Sequence, residues 1–355
     1  TYTNISFKDE RRNIVNITGE KSADGSYSVK VKNAVIGGVN IGNSQHINYT
    51  ANSTTSGIDG STVNTTTNGT LLRHVGVLGN YVFLKNVNVS GETRNATVAS
   101  QLVFETGGVV AGGLNYGNAS FIKFNVVQAD NAWIGGTVIG GGSSGGNASE
   151  NTVNLTNSLV MGSIYGSYNI NASGVGTTNG SGATLQVKGD ASSSDKSVVY
   201  LKNVTTVGGI NHTLLGNFIV SEGNVWGGHA GKGGASDNNV TIIDSYIGGS
   251  VFGGGSYFGS SKGNLVNVSK SNISGGVFGS VSYGTFDVTE RFKGNILILD
   301  GVNVTGNRTH FTLFQPNAST PTEKNPFALQ VGGVAAGIIN FGSSVVQGRF
   351  SVDNN

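Results

Sequence analysis

The chain has 355 residues, a formal net charge of +2 and no cysteine. So even a balance leaves no electrostatic footprint for DNA, RNA or anionic lipid, and the missing thiol excludes disulfides and thiolate catalysis. Charged residues make up only 11% and hydrophobic ones 37%, against 58 glycines, so Asn, Ser, Thr and Gly must carry the surface around a narrow core. Disorder is rejected because β-branched runs such as VTIID, LVNVS and ILILD recur in register.

In chain order, Lys8-Asp9-Glu10-Arg11-Arg12 is the one dense charge cluster; it is mixed in sign and reads as a solvated cap. Short runs of alternating apolar residues then recur: Val29–Asn33, Val82–Asn86, Val153–Asn157, Val199–Asn203, Val240–Asp244, Val266–Lys270 and Ile296–Asp300. A period of two puts the first and third residues of each on one face and the second on the other. The pairs Val153/Leu155, Val240/Ile242 and Val266/Val268 are therefore expected inside, with Asn154, Thr241 and Asn267 outside. Residues 44–70 read as a loop, and so does the Gly/Ser/Thr-rich stretch 171–197. Residues 310–326 hold all three prolines and read as a protrusion or linker, with further coils expected over 327–355.

A second phrase follows the strands: Val138-Ile139-Gly140-Gly141, Ile164-Tyr165-Gly166-Ser167, Val225-Trp226-Gly227-Gly228, Val251-Phe252-Gly253-Gly254 and Val277-Phe278-Gly279-Ser280. Its starts at 138, 164, 225, 251 and 277 are separated by 26, 61, 26 and 26 residues. A fixed period of this size signals stacked supersecondary units, and the long step fits two units plus about nine extra residues. Strand, turn, Gly-Gly and strand in ~26 residues describe an all-β, right-handed parallel β-helix. About 12–14 coils would make a rod roughly 60 Å long. Tyr165, Trp226, Phe252 and Phe278 should form an internal or half-buried ladder. No segment has helical periodicity.

Catalytic signatures are thin. His46, His74, His212, His229 and His310 lack metal-ligand spacing, and no nucleophile elbow occurs. GSSGG at 142–146 reads as a turn, and Gly233–Asp237 is a single imperfect echo of calcium-binding nonapeptides. No catalytic residue, metal or cofactor is assigned. Asp244 and Asp300 share a repeat position, with Lys270 between them, and would have to converge in a concavity to cleave a saccharide. Asn-x-Ser/Thr triplets are frequent, among them those at Asn88, Asn203, Asn239, Asn267 and Asn303. They fit outward strand positions or turns, and also surface glycosylation. The chain opens at Thr1 in a polar stretch without a charged-then-apolar leader, as a mature segment would. No apolar run is long enough for a membrane-spanning helix.

The stretches NNVTIIDSYIGGSVFGGGS, NLVNVSKSNISGGVFGSVS and NTVNLTNSLVMGSIYGSY resemble the repeats of autotransporter passengers, the type V secreted proteins of Gram-negative bacteria. The resemblance covers roughly residues 25–305 and rests on repeat grammar. It implies a β-helix displayed at the bacterial surface or secreted, with the outer-membrane barrel outside this chain. The GDSGS motif of the serine-protease branch is absent from the sequence, which points to the adhesin and self-associating branch. The implied partners are a second copy of the chain, a host matrix protein or a glycan, with neither nucleic acid nor membrane insertion. Asn154, Thr241 and Asn267 are the expected association column, and Trp226 with His229 a possible exposed contact in a Gly-rich turn. A β-helical polysaccharide-cleaving enzyme and a structural stalk are the alternatives.

Overall fold

The computed structural model describes residues 13–40, 46–56, 62–72, 76–90, 107–116, 121–143, 147–169, 193–214, 217–230, 234–256, 261–282, 292–306, 333–339 and 352–353. They form a right-handed parallel β-helix. One coil serves as the template for the others. Asn239–Ile243 lies in a first sheet, Tyr246–Ile247 in a second and Val251–Ser256 in a third. Each strand pairs in parallel with its counterpart one coil on, and the first two sheets hold 8 strands each. The first sheet runs Ile14–Thr18, Tyr81–Lys85, Val126–Asp130, Thr152–Thr156, Val198–Lys202, Asn239–Ile243, Leu265–Ser269 and Ile296–Asp300.

Hydrophobic burial holds the stack together. Val82/Leu84, Val153/Leu155, Val199/Leu201, Val240/Ile242 and Val266/Val268 are buried in one axial core. Ile134, Val160, Ile247 and Ile273 join them from the second sheet, and Val138, Ile164, Val225, Val251 and Val277 from the third. Full burial of each such side chain is worth roughly 1.5–3 kcal/mol.

Two asparagine columns make the corners. Before six of the eight first-sheet strands sits a buried Asn: Asn80, Asn125, Asn151, Asn238, Asn264 or Asn295. The side-chain carbonyl of Asn264 accepts from both the backbone N–H and the Nδ2 of Asn238, at 3.1 and 3.0 Å. Asn151 does the same for Asn125, and Asn295 for Asn264. Each coil thus satisfies the bend of the one before it, where an unpaired N–H would cost about 1–3 kcal/mol. Ser197 replaces Asn in one coil, bonding Ser167 at 2.6 Å. After the strand, the chain turns on one left-handed residue: Asn86, Asn131, Asn157, Asn203, Asp244 or Lys270, with φ between 48° and 53°. Asn and Asp tolerate this region better than other side-chain-bearing residues.

Glycine in the third-sheet phrase has a steric cause. A Cβ on Gly140 would meet the carbonyl of Gly166, one on Gly166 that of Gly227, and one on Gly227 that of Gly253. The coils approach too closely there for any side chain.

Several sequence expectations change. Ile164 pairs directly with Val225, so the 61-residue step is one coil carrying insertions, not two units. One insertion is the hairpin Ile210–Leu214 with Asn217–Ser221; 170–192 lies outside the described residues. Such insertions absorb chain length, and the eight coils among the described residues, at about 4.8 Å each, span an axial length near 34 Å, against the roughly 60 Å expected. Val29–Val31 belongs to the second sheet, and Ile14–Thr18 is the first-sheet strand of that coil. In the last coil Val266 and Val268 align with Leu297 and Leu299, so Ile296 and Ile298 face outward, one residue out of the expected phase. Residues 44–70 contain an antiparallel hairpin, His46–Ser56 with Thr62–Leu72. The cluster 8–12 and the proline segment 310–326 lie outside the described residues. Of 327–355, Val334–Ala335 and Ile338–Ile339 add to the third sheet, and Val352–Asp353 pairs with Phe292–Lys293.

Candidate interaction face

The outer side of the first sheet is a broad face of regular register. Its middle column reads Asn16, Phe83, Gln128, Asn154, Tyr200, Thr241, Asn267 and Ile298. The three residues expected to align do share a column, and Tyr200 stands between Asn154 and Thr241. That aromatic arrives because the register continues through the inserted coil. A flanking column holds Ile14, Tyr81, Val126, Thr152, Val198, Asn239, Leu265 and Ile296. Neither column carries a charge. Ile14 is 70% exposed, Ile296 54% and Ile298 48%. The charges sit at one margin, in a third column with Lys85, Asp130, Lys202 and Asp300. There Thr156 donates to Asp130 at 2.8 Å, and so does Asn157 at 2.9 Å.

The aromatic ladder forms; Trp226, Phe252 and Phe278 are buried and Tyr165 is half-buried. Tyr165 and Trp226 lie 6.4 Å apart at 8°, Trp226 and Phe252 3.7 Å at 12°, and Phe252 and Phe278 5.2 Å at 21°. The third sheet is apolar on two sides. Its alternate residues Ala111, Leu114, Ile139 and Tyr168 form a cluster separate from the axial core. Trp226 is only 2% exposed and His229 3%, which corrects their reading as an exposed contact. The Gly-rich turn around them is a sheet interior, and its small residues mark close packing, not surface. His229 stacks on Tyr168 at 5.1 Å and meets the Trp226 edge at 5.1 Å. Burial lowers the His229 pKa to about 4 and raises those of Tyr165 and Tyr168.

Asp244 and Lys270 occupy successive left-handed corner positions. Asp300 pairs with Ser269 instead, so it falls in the neighbouring column. All three are exposed at the corner, not gathered in a concavity. Among the described residues no group of three or more His, Cys, Asp or Glu could hold a metal. The triplets at Asn239 and Asn267 lie on the outer face of the first sheet. Asn203 lies in the corner column and donates to Asn157 at 2.9 Å.

No family model, no curated protein and no solved structure matches this chain.

Proposed function

We propose that this chain is the passenger portion of a bacterial surface adhesin of autotransporter type, and that it acts by pairing with a copy of itself along the outer face of the first sheet. The observation that carries the reading is the pair of uncharged outward columns running the length of the stack. Side chains such as Asn154, Thr241 and Asn267 offer both donors and acceptors, while Val198 exposes apolar surface beside them and Ile14, Ile296 and Ile298 do so at the two ends of the face. Such a surface is self-complementary without any change of composition, as a two-fold interface requires. The small net charge leaves little repulsion to oppose it.

Size sets the strength. Strands of about 17 Å stacked over about 34 Å project roughly 580 Å², below the ~800 Å² per partner of stable complexes. A single pair is therefore weak, and many copies on one cell supply the avidity. Binding, not catalysis, is the proposed role, at the surface of a Gram-negative cell or on release from it.

Sedimentation velocity on the purified rod tests the face. The unmodified chain should show concentration-dependent reversible dimers, little altered by salt because the face carries no charge. Thr241→Asp with Asn267→Asp should leave only monomer while thermal unfolding stays within a few degrees. Equal dimerisation in the double variant would reject the face.

A further inference from the structure

The second sheet carries a different surface. Its outward column steps from Trp133 to Leu159 to Thr205 and then to Tyr246. Two large rings stand about three coil spacings apart, roughly 14 Å, with the shorter side chains of Leu159 and Thr205 between them. The column therefore dips beside Trp133, and the dip is walled by an excursion of the first coil. Residues 19–28 fold back on themselves through a bridge between Lys21 and Tyr27. The turn between them is tied by Ser22 N–H to the Ser26 carbonyl at 2.8 Å and by Ser26 N–H to Asp24 at 2.9 Å. The Lys21 ammonium lies 4.9 Å from the Tyr27 ring centre and donates to Asn131 at 3.1 Å. This anchors the excursion over the sheet. The resulting groove is open to solvent along one side and has a volume of about 410 Å³.

We propose that this concavity is a saccharide subsite that seats a neutral pyranose ring against Trp133. Trp133 and Tyr27 give flat carbon faces that suit the C–H side of a sugar, with polar groups at their edges. The exposed amides of Asn157 and Asn203 form the rim beside Leu159. The corner ladder uses one N–H of Asn203 and one lone pair of Asn157, and an amide has two of each. Hydroxyl groups of a sugar fit what is left. Lys21 adds a further donor. An anionic ligand would meet a single cation in the lining, Lys21, whose ammonium is already bonded to Asn131 and set over the Tyr27 ring, with the Asp130 carboxylate behind the rim on Asn157. A purely apolar ligand would leave the rim amides unsatisfied. The left-handed corners at Asn131, Asn157 and Asn203 hold rim and floor on a rigid lattice, so little ordering opposes binding.

This subsite lies on the second sheet and stands independently of pairing through the first. The probes are maltotriose, cellotriose, mannotriose, N-acetylchitotriose, lactose and, as an acidic comparison, sialyllactose. Saturation-transfer NMR on the unmodified chain should detect at least one neutral sugar, and Trp133→Ala should weaken that signal at least tenfold with unfolding unchanged. The chain holds two tryptophans, so Trp226→Phe leaves Trp133 as the sole indole, whose emission the same sugar should change saturably. No neutral sugar detected, a signal that survives Trp133→Ala, or binding of sialyllactose alone would each overturn the proposal. Trp133→Ala should leave rod pairing intact, and Thr241→Asp with Asn267→Asp should leave sugar binding intact. Each reading can thus fail without the other.

Discussion

His229 makes the most pH-sensitive contribution that one residue can be assigned. It is buried among Tyr165, Tyr168 and Trp226, and desolvation lowers its pKa to about 4 from the ordinary ~6.5. The unfolded chain takes up the proton first as pH falls, so the stabilisation is complete above about pH 6.5 and is lost progressively down to about pH 4. The difference corresponds to about 3 kcal/mol. Denaturant melts at pH 7.5 and pH 4.5 should therefore differ more for the unmodified chain than for His229→Phe, which keeps a ring in the cluster. An equal pH response in both would contradict this. The burial of this residue was not legible in the sequence. A histidine after a Gly-Gly pair resembles an exposed turn, and only the stacking of Tyr168 and Trp226 around it closes the site.

At the scale of the coil, the alternating strands and the recurring glycine phrase were readable because period and chemistry agree. Val240 and Ile242 point inward for the same reason as Val266 and Val268. The asparagine column that precedes the strands shows its purpose only in the bonds from Asn238 to Asn264 and on to Asn295. Phase is what the sequence left open. Ile296-Leu297-Ile298-Leu299 is apolar throughout, so alternation could not choose between its two faces, and pairing with Val266 decides. The ladder has its own test. Phe252 is fully buried between Trp226 and Phe278, and Phe252→Ala should cost about 3–5 kcal/mol in denaturant unfolding. A loss under 1 kcal/mol would mean that the ladder contributes little to the stack.

For the whole molecule, period divided into length gave about 12–14 coils where the described residues form eight, because the hairpin Ile210–Leu214 with Asn217–Ser221 carries no signature in the repeat. Ile164 and Val225 are neighbours in space across 61 residues of chain, and nothing in the phrase itself records that. A shorter rod has a smaller face, which strengthens the expectation of weak single contacts multiplied by display. The uncharged columns through Asn154, Tyr200, Thr241 and Asn267 would then act between cells more than in dilute solution. The most direct measurement is a settling assay on cells displaying this chain, mixed at rising ratios with fluorescently marked cells that lack it. Pairing of the rod with itself predicts clumps of display cells alone, dispersed by Thr241→Asp with Asn267→Asp. Clumps that recruit the marked cells in proportion to their number, or no settling at all, would contradict it.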